Sequence, residues 1–124
     1  MSITAFPKIE YFAGFFDGEG SIGIYLGKKG YIRAITLSNT YLPILELFKE
    51  RFGGRINDKM TTKLTRKKCY QWCLGSKADI SSFLETILPN LIEKKTQAEV
   101  MLDEIYKNIL VADAAKALKE LKKC

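Results

Sequence analysis

Residues 12–20, Phe-Ala-Gly-Phe-Phe-Asp-Gly-Glu-Gly, constrain this chain more than any other stretch. Apolar and small residues run there at helical spacing and stop in an acidic pair, Asp17 and Glu19, set among Gly14, Gly18 and Gly20. Small residues on a helix let a second helix approach backbone to backbone. A carboxylate where such a helix ends suits a hard cation such as Mg²⁺, which prefers oxygen ligands. One segment therefore predicts both a helix–helix contact and half of a metal site.

The other residue types narrow the chemistry. The 124 residues contain no histidine, which removes histidine-based triads, two-histidine zinc helices and histidine-metal nucleases. Three cysteines, Cys69, Cys73 and Cys124, have no metal-ligand spacing and lack a fourth partner, so free thiols are expected. Hydrophobic residues make up 47% of the chain, enough for one packed domain. No apolar run reaches the ~18 residues of a membrane span, and the N-terminus lacks a signal-peptide pattern. An intracellular protein with no membrane partner is expected. A copy made inside a mitochondrion or chloroplast would look the same.

Net charge is +6, from 20 Lys and Arg against 14 Asp and Glu. The excess is local. Residues 49–68 carry Lys49, Arg51, Arg55, Lys59, Lys63, Arg66, Lys67 and Lys68 against only Glu50 and Asp58. A solvated face explains any one lysine. A cluster on predicted strands favours contact with a polyanion, and nucleic acid above others.

Periodicity predicts a helix from about Pro7 to the glycine cluster, with Thr4 or Phe6 just outside it. Strands over 21–28 and 31–38 follow, turning at Lys28-Lys29-Gly30, with Ile22, Ile24, Leu26, Ile35 and Leu37 inward. A second helix spans about 41–52, capped by Thr40, and ends at Gly53-Gly54. Strands at 55–59 and 69–75 turn Ile56, Tyr70, Trp72 and Leu74 inward; Arg55, Asn57, Lys59, Cys69, Gln71 and Cys73 take the outward parity. Helices at about 79–88, with Ser76 or Asp79 near the cap, and 90–108 precede an amphipathic piece at 112–123, read as a short packed helix or a partly frayed tail. The fold class is α+β. The order αββαββα makes one four-stranded antiparallel sheet with helices on one face and an open polar face that fits a DNA groove.

At this point Phe12–Gly20, entering a strand as Ser21-Ile22-Gly23-Ile24, resembles the motif of the LAGLIDADG homing endonucleases, of the single-motif type that acts as a homodimer. The resemblance covers roughly residues 5–107; residues 1–110 would form the endonuclease domain and 111–124 its helical tail. It implies that Glu19, where the family often has Asp, binds Mg²⁺ with help from the Gly18 carbonyl. Asp17 matches an earlier acidic position with a structural role at the helix end. Asn39 matches a residue that organises catalytic water, and Lys94 a basic residue near the scissile phosphate. Plainer roles compete: Asn39 also suits a cap of the second helix, Lys94 also suits a solvated surface position, and a one-residue offset exchanges Lys94 with Lys95.

With a single motif, one carboxylate is too few for a metal site. Two copies meeting along Ala13, Gly14, Asp17 and Gly18 would bring two Glu19 side chains together. A two-fold dimer would read a pseudo-palindromic duplex, one half per subunit, and the resemblance implies a site of about 20 base pairs. Tyr25, Lys29, Arg33, Arg55, Asn57, Lys59, Arg66 and Gln71 are the expected DNA contacts. Arg33 shares the parity of Ile35 and Leu37 and needs a bulge or strand end to turn outward. The function implied is a Mg²⁺-dependent, site-specific double-strand endonuclease promoting intron mobility. An RNA-binding intron maturase and a cleavage-inactive DNA-binding protein are the alternatives.

Overall fold

The computed structural model describes residues 7–59 and 68–122. Arg66, Thr4 and Phe6, expected just outside the first helix, and Cys124 lie outside the described residues, as does the side chain of Lys59. The elements are α1 (Ile9–Glu19), β1 (Gly20–Gly27), β2 (Gly30–Asn39), α2 (Leu42–Phe52), β3 (Arg55–Lys59), β4 (Cys69–Leu74), α3 (Lys77–Ile87), α4 (Lys95–Ile105) and α5 (Val111–Leu121), with a 3₁₀ turn over Leu88–Asn90. The strands form one antiparallel sheet in the order β1-β2-β4-β3. Each hairpin follows a helix, and the remaining helices follow the second hairpin.

Local sequence explains most boundaries. The first strand leaves α1 directly: the Gly20 N–H donates to the Phe16 carbonyl, and a Cβ on Gly20 would fall 2.2 Å from the Phe16 ring. Only a glycine lets the chain turn flat across that ring. Ser76 caps α3, its hydroxyl accepting from the Asp79 N–H at 3.1 Å. Gly53 and Gly54 end α2 with φ of 85° and 87°, backbone that a side chain disfavours. The freed carbonyl of Gly53 accepts from the Trp72 indole N–H at 2.8 Å, tying the end of α2 to β4.

The core lies between the sheet and the helix layer. Phe12 and Phe16 from α1, Phe48 from α2, Trp72 from β4 and Phe83 from α3 are fully buried. Their rings meet mostly edge to face, with Phe12–Phe48 at 5.0 Å and Phe16–Phe83 at 5.1 Å between centroids. Such pairs add about 0.5–1.5 kcal/mol each beyond the area they bury.

Four sequence expectations change. Leu26, expected inward, is 73% exposed. It pairs with Tyr31 near the hairpin tip, beyond the buried row formed by Ile22 and Ile24. Thr40 does not cap α2; the N-cap is Tyr41, whose N–H is taken by Asn39 Oδ1 at 2.8 Å. The helix expected over 90–108 starts only at Lys95, because the N–H groups of 92–94 bond to Asp17 instead. Arg33 keeps the inward parity and stays on the helix side of the sheet. Its guanidinium forms a two-pronged pair with Glu104 of α4, one bond from Nε and one from Nη2 at 2.6 Å.

The Arg33–Glu104 pair is poorly hydrated, with side chains 17% and 6% exposed. The Glu104 bond raises the Arg33 pKa against the opposing effect of burial. Removing one member of a buried pair leaves the other uncompensated. Glu104→Ala is expected to destabilise the fold by about 2 kcal/mol, below the cost for a fully buried pair because Arg33 keeps some water access. Urea denaturation of wild type and variant checks this.

Candidate nucleic-acid interface and metal site

The face of the sheet opposite the helices follows from strand register. Across the sheet, Ser21 pairs with Thr36, Thr36 with Cys73, and Cys73 with Arg55. In the adjacent row Ser38 pairs with Gln71 and Gln71 with Asn57. Residues paired across antiparallel strands share a face, so Arg55, Asn57 and Gln71 stand together on the open side, as expected. Tyr25 lies two residues along from Gly23 on that face, with its ring over Gly23, where an added Cβ would meet the Tyr25 hydroxyl at 2.2 Å. Lys29 is exposed in the turn between β1 and β2.

A hydrogen-bonded lattice links the middle of this face. Gln71 Nε2 donates to Ser38 Oγ at 3.3 Å, Asn57 Nδ2 approaches Cys73 Sγ at 3.9 Å, and Cys73 Sγ approaches Gln71 Oε1 at 3.5 Å. The sequence reading missed Ser21, Thr36 and Ser38. The signal was present, because each alternates with a buried Ile22, Ile35 or Leu37. Arg33 drops out of this face for the reason given above. Burial raises the pKa of Cys73 despite the opposing effects of Arg55 and Asn57, so its thiol stays protonated and is a poor nucleophile.

The acidic pair of α1 divides its work. Asp17 is 9% exposed and faces its own chain. Its Oδ2 accepts from the N–H groups of Ile92 at 3.1 Å and Glu93 at 3.0 Å, and its Oδ1 from Lys94 at 2.8 Å. Burial would raise the Asp17 pKa, but these three N–H groups and the Lys94 charge outweigh it and hold the carboxyl below its ordinary value. The Lys94 ammonium donates to the Asp17 carbonyl at 2.6 Å, so it is fixed one residue from Gly18.

Glu19 is exposed at the C-terminal end of α1 and has no hydrogen-bond or ion-pair partner among the described residues. Carbonyls at a helix C-terminus lack intrahelical partners and carry partial negative charge. The Glu19 carboxylate and the Gly18 carbonyl are therefore hard oxygen donors of the type a divalent cation takes. They fit such an ion only in part, since no group of three or more His, Cys, Asp or Glu able to hold a metal occurs among the described residues. Asn39 ends β2, two residues past Leu37, which pairs with Gly20. Glu19, Lys94 and Asn39 thus come to one end of the sheet.

Of the residues expected on the contact face of α1, only Gly14 and Gly18 are exposed. Ala13 and Asp17 are buried within their own chain. The stripe that α1 leaves outside is Tyr11, Gly14 and Gly18, with Phe15 half-buried beside it. A Cβ on Gly14 or Gly18 would meet nothing within 4 Å, so packing inside this chain does not require glycine at either position.

This architecture recurs in solved structures. The homing endonuclease I-CvuI, crystallised with a DNA target, superposes with a TM-score of 0.75 over 91% of this chain and 80% of that one, at 21% identity. The LAGLIDADG homing endonuclease I-SmaMI bound to cleaved DNA gives 0.66 over 98% of this chain and 45% of that one, at 18% identity. The fold is that of the LAGLIDADG homing endonucleases. An archaeal intron-encoded homing endonuclease complexed with DNA shares the LAGLIDADG fold, with a TM-score of 0.69, 20% identity and coverage of 91% of this chain and 82% of that one. In sequence, an intron-encoded RNA maturase of Saccharomyces cerevisiae is 35% identical over 71 residues, 54% of this chain and 10% of the maturase. No family model matches the chain. No helix among the described residues is long and apolar enough to cross a membrane.

Proposed function

We propose that this protein is a homodimeric, metal-dependent endonuclease that cuts both strands of a long pseudo-palindromic DNA site and so promotes mobility of an intron. One observation carries the reading. Glu19 is a carboxylate with no partner among the described residues, at the end of a helix whose outer stripe is glycine-rich, and a lysine is anchored on the Asp17 carbonyl two residues before it. A second copy packed on Tyr11, Gly14 and Gly18 would supply the second Glu19 that a metal site needs. The two open faces would then lie side by side on one duplex.

Glu19 and the Gly18 carbonyl of each copy would hold the cation, Mg²⁺ in this reading, which supplies an activated water and offsets charge on the phosphate. Lys94 has two N–H bonds left after its bond to Asp17 and directs them at a phosphate oxygen. Asn39 uses Oδ1 on the Tyr41 N–H, which leaves its NH₂ as the donor available to a water. Arg55, Asn57, Gln71, Tyr25 and Lys29 are the DNA contacts of the described face; Lys59 and Arg66 are proposed as further contacts from the sequence. An intracellular or organellar setting goes with an intron-borne gene.

The test is cleavage selection. Purified protein with Mg²⁺ is given a randomised duplex library, and cut products are sequenced. Tight duplex binding without any cutting would leave a binding-only protein. The maturase likeness supports a second reading, in which the same scaffold binds host-intron RNA; filter binding to that RNA against a duplex separates them. Association has its own check. Gly14→Leu is expected to raise the thermal melt of the monomer by roughly 2–5 °C, since the added side chain meets nothing within its own chain and glycine inside a helix costs about 0.8–1 kcal/mol. The same change should weaken dimerisation at least tenfold by sedimentation, through steric separation of the two α1 helices.

A further inference from the structure

A second basic surface flanks the open face, built by α5 and the β1–β2 hairpin. Helix α5 is seated by Ala114 and Leu118, both buried. Lys116, Lys119 and Lys122 follow at intervals of three and line one side of a groove of about 600 Å³. Tyr25, Leu26 and Tyr31 line the other side. The acidic residues of α5, Asp113 and Glu120, do not line it, and neither makes an ion pair with these lysines among the described residues. The groove therefore has a cationic rim and an apolar, aromatic floor.

The groove is joined to the open face through one contact. Lys122 Nζ donates to the Tyr25 hydroxyl at 3.1 Å and sits 5.3 Å from the centre of the Tyr25 ring. Tyr25 belongs to the open face, and Lys122 belongs to α5. β1 is an edge strand, and Tyr25 borders both surfaces, so the groove mouth adjoins the open face at that edge.

We infer that the groove mouth takes the sugar–phosphate backbone of the duplex beyond the stretch read by the sheet, with Lys116 and Lys119 on phosphates and the Tyr25 ring, which lies on both the open face and the groove wall, against a sugar. Charge complementarity selects this occupant: three ammonium groups in a row, none ion-paired with a carboxylate among the described residues, match a row of phosphates, and the floor accepts the apolar side of a deoxyribose. Lys122 divides its bonds between Tyr25 and phosphate, which couples the flank to the sheet. This assignment rests on the proposed DNA-binding function and extends it to α5, a helix outside the strands.

The probe is a 40-base-pair duplex of random sequence, because phosphate contacts are independent of sequence. Affinity is measured against salt for wild type, Lys116→Gln/Lys119→Gln, and Arg55→Gln on the open face. Both altered lysines are exposed, and thermal melts confirm that the variants fold. Wild type is expected to show a steep fall of affinity with salt. The double lysine variant should flatten the log–log slope by about 1.8, two phosphates at roughly 0.9 each. A slope unchanged in the lysine variant but flattened in Arg55→Gln overturns the groove assignment and leaves the function standing. Wild-type protein that fails to bind duplex overturns both. A lysine variant that keeps its DNA slope but loses binding to phosphatidylserine vesicles assigns the groove to a lipid surface and overturns the inference.

Discussion

Glu19→Gln is expected to lower the DNA-cleavage rate by roughly 10³-fold, equivalent to about 4 kcal/mol of transition-state stabilisation lost with the metal ligand. The substitution keeps the size of the side chain and removes only its charge. Glu19 is exposed and unpartnered among the described residues, so the fold should not notice. Binding to duplex should be unchanged or tighter, because a negative charge beside the phosphates has gone. The readout is single-turnover cleavage beside affinity measured with and without Mg²⁺. Wild-type affinity should rise with Mg²⁺, and that of the variant should not. Cleavage that survives Glu19→Gln would remove Glu19 from the reaction and leave the sheet face as a binding surface only.

Asp17→Ala is expected to destabilise the fold more than Glu104→Ala does, by about 3 kcal/mol or roughly 10 °C in melting temperature. Three backbone N–H groups lose their acceptor at once, two of them in residues that water reaches, which keeps the cost below three full desolvation penalties. The loop before α4 would loosen, and Lys94 with it. Asp17→Asn separates charge from shape, since it keeps one acceptor oxygen and sets an NH₂ against N–H donors. The pH dependence has a definite sign. The folded-state pKa of Asp17 is lowered below the ordinary value of 3.8. Its contribution is therefore complete above that value and is lost as pH falls through the lower folded-state pKa. The stability gap between wild type and Asp17→Asn should be constant from about pH 5 to 7 and shrink below about pH 4. Denaturant titrations across that range give the curve. A gap that widens in acid would mean that the carboxylate is not the stabilising species.

Both predictions concern one motif, yet they were not equally legible. Glu19 announces itself in sequence by position alone: a carboxylate between two glycines at the end of an apolar helix. Asp17 has the same local signature two residues earlier, and only the fold shows that its partners lie 75 to 77 residues away. That long-range capture also delayed the start of α4, a boundary that helical periodicity cannot show because the competing acceptor is not local. The strands were easier. Alternation of period two fixes which residues share a face, so Arg55, Asn57, Gln71 and Tyr25 were assigned by parity without knowledge of the pairing. Parity placed Arg33 inward too, but its reason for being there, Glu104, sits in another element. Leu26 shows the opposite failure: parity was right, and the helix layer did not extend far enough to cover it.

The sequence by itself determined the element types up to the last helix, the two faces of each strand, the single copy of the glycine–acid motif and the absence of histidine chemistry. These are local or compositional properties, set by side-chain periodicity, backbone-specific residues and residue inventory. The tertiary structure decided which acid is tied down and which is free, which side of α1 is left uncovered, and that α5 places a row of lysines beside the open face. Those outcomes depend on contacts between segments distant in the chain, where the winner is set by which buried group most needs a partner and no local pattern records it.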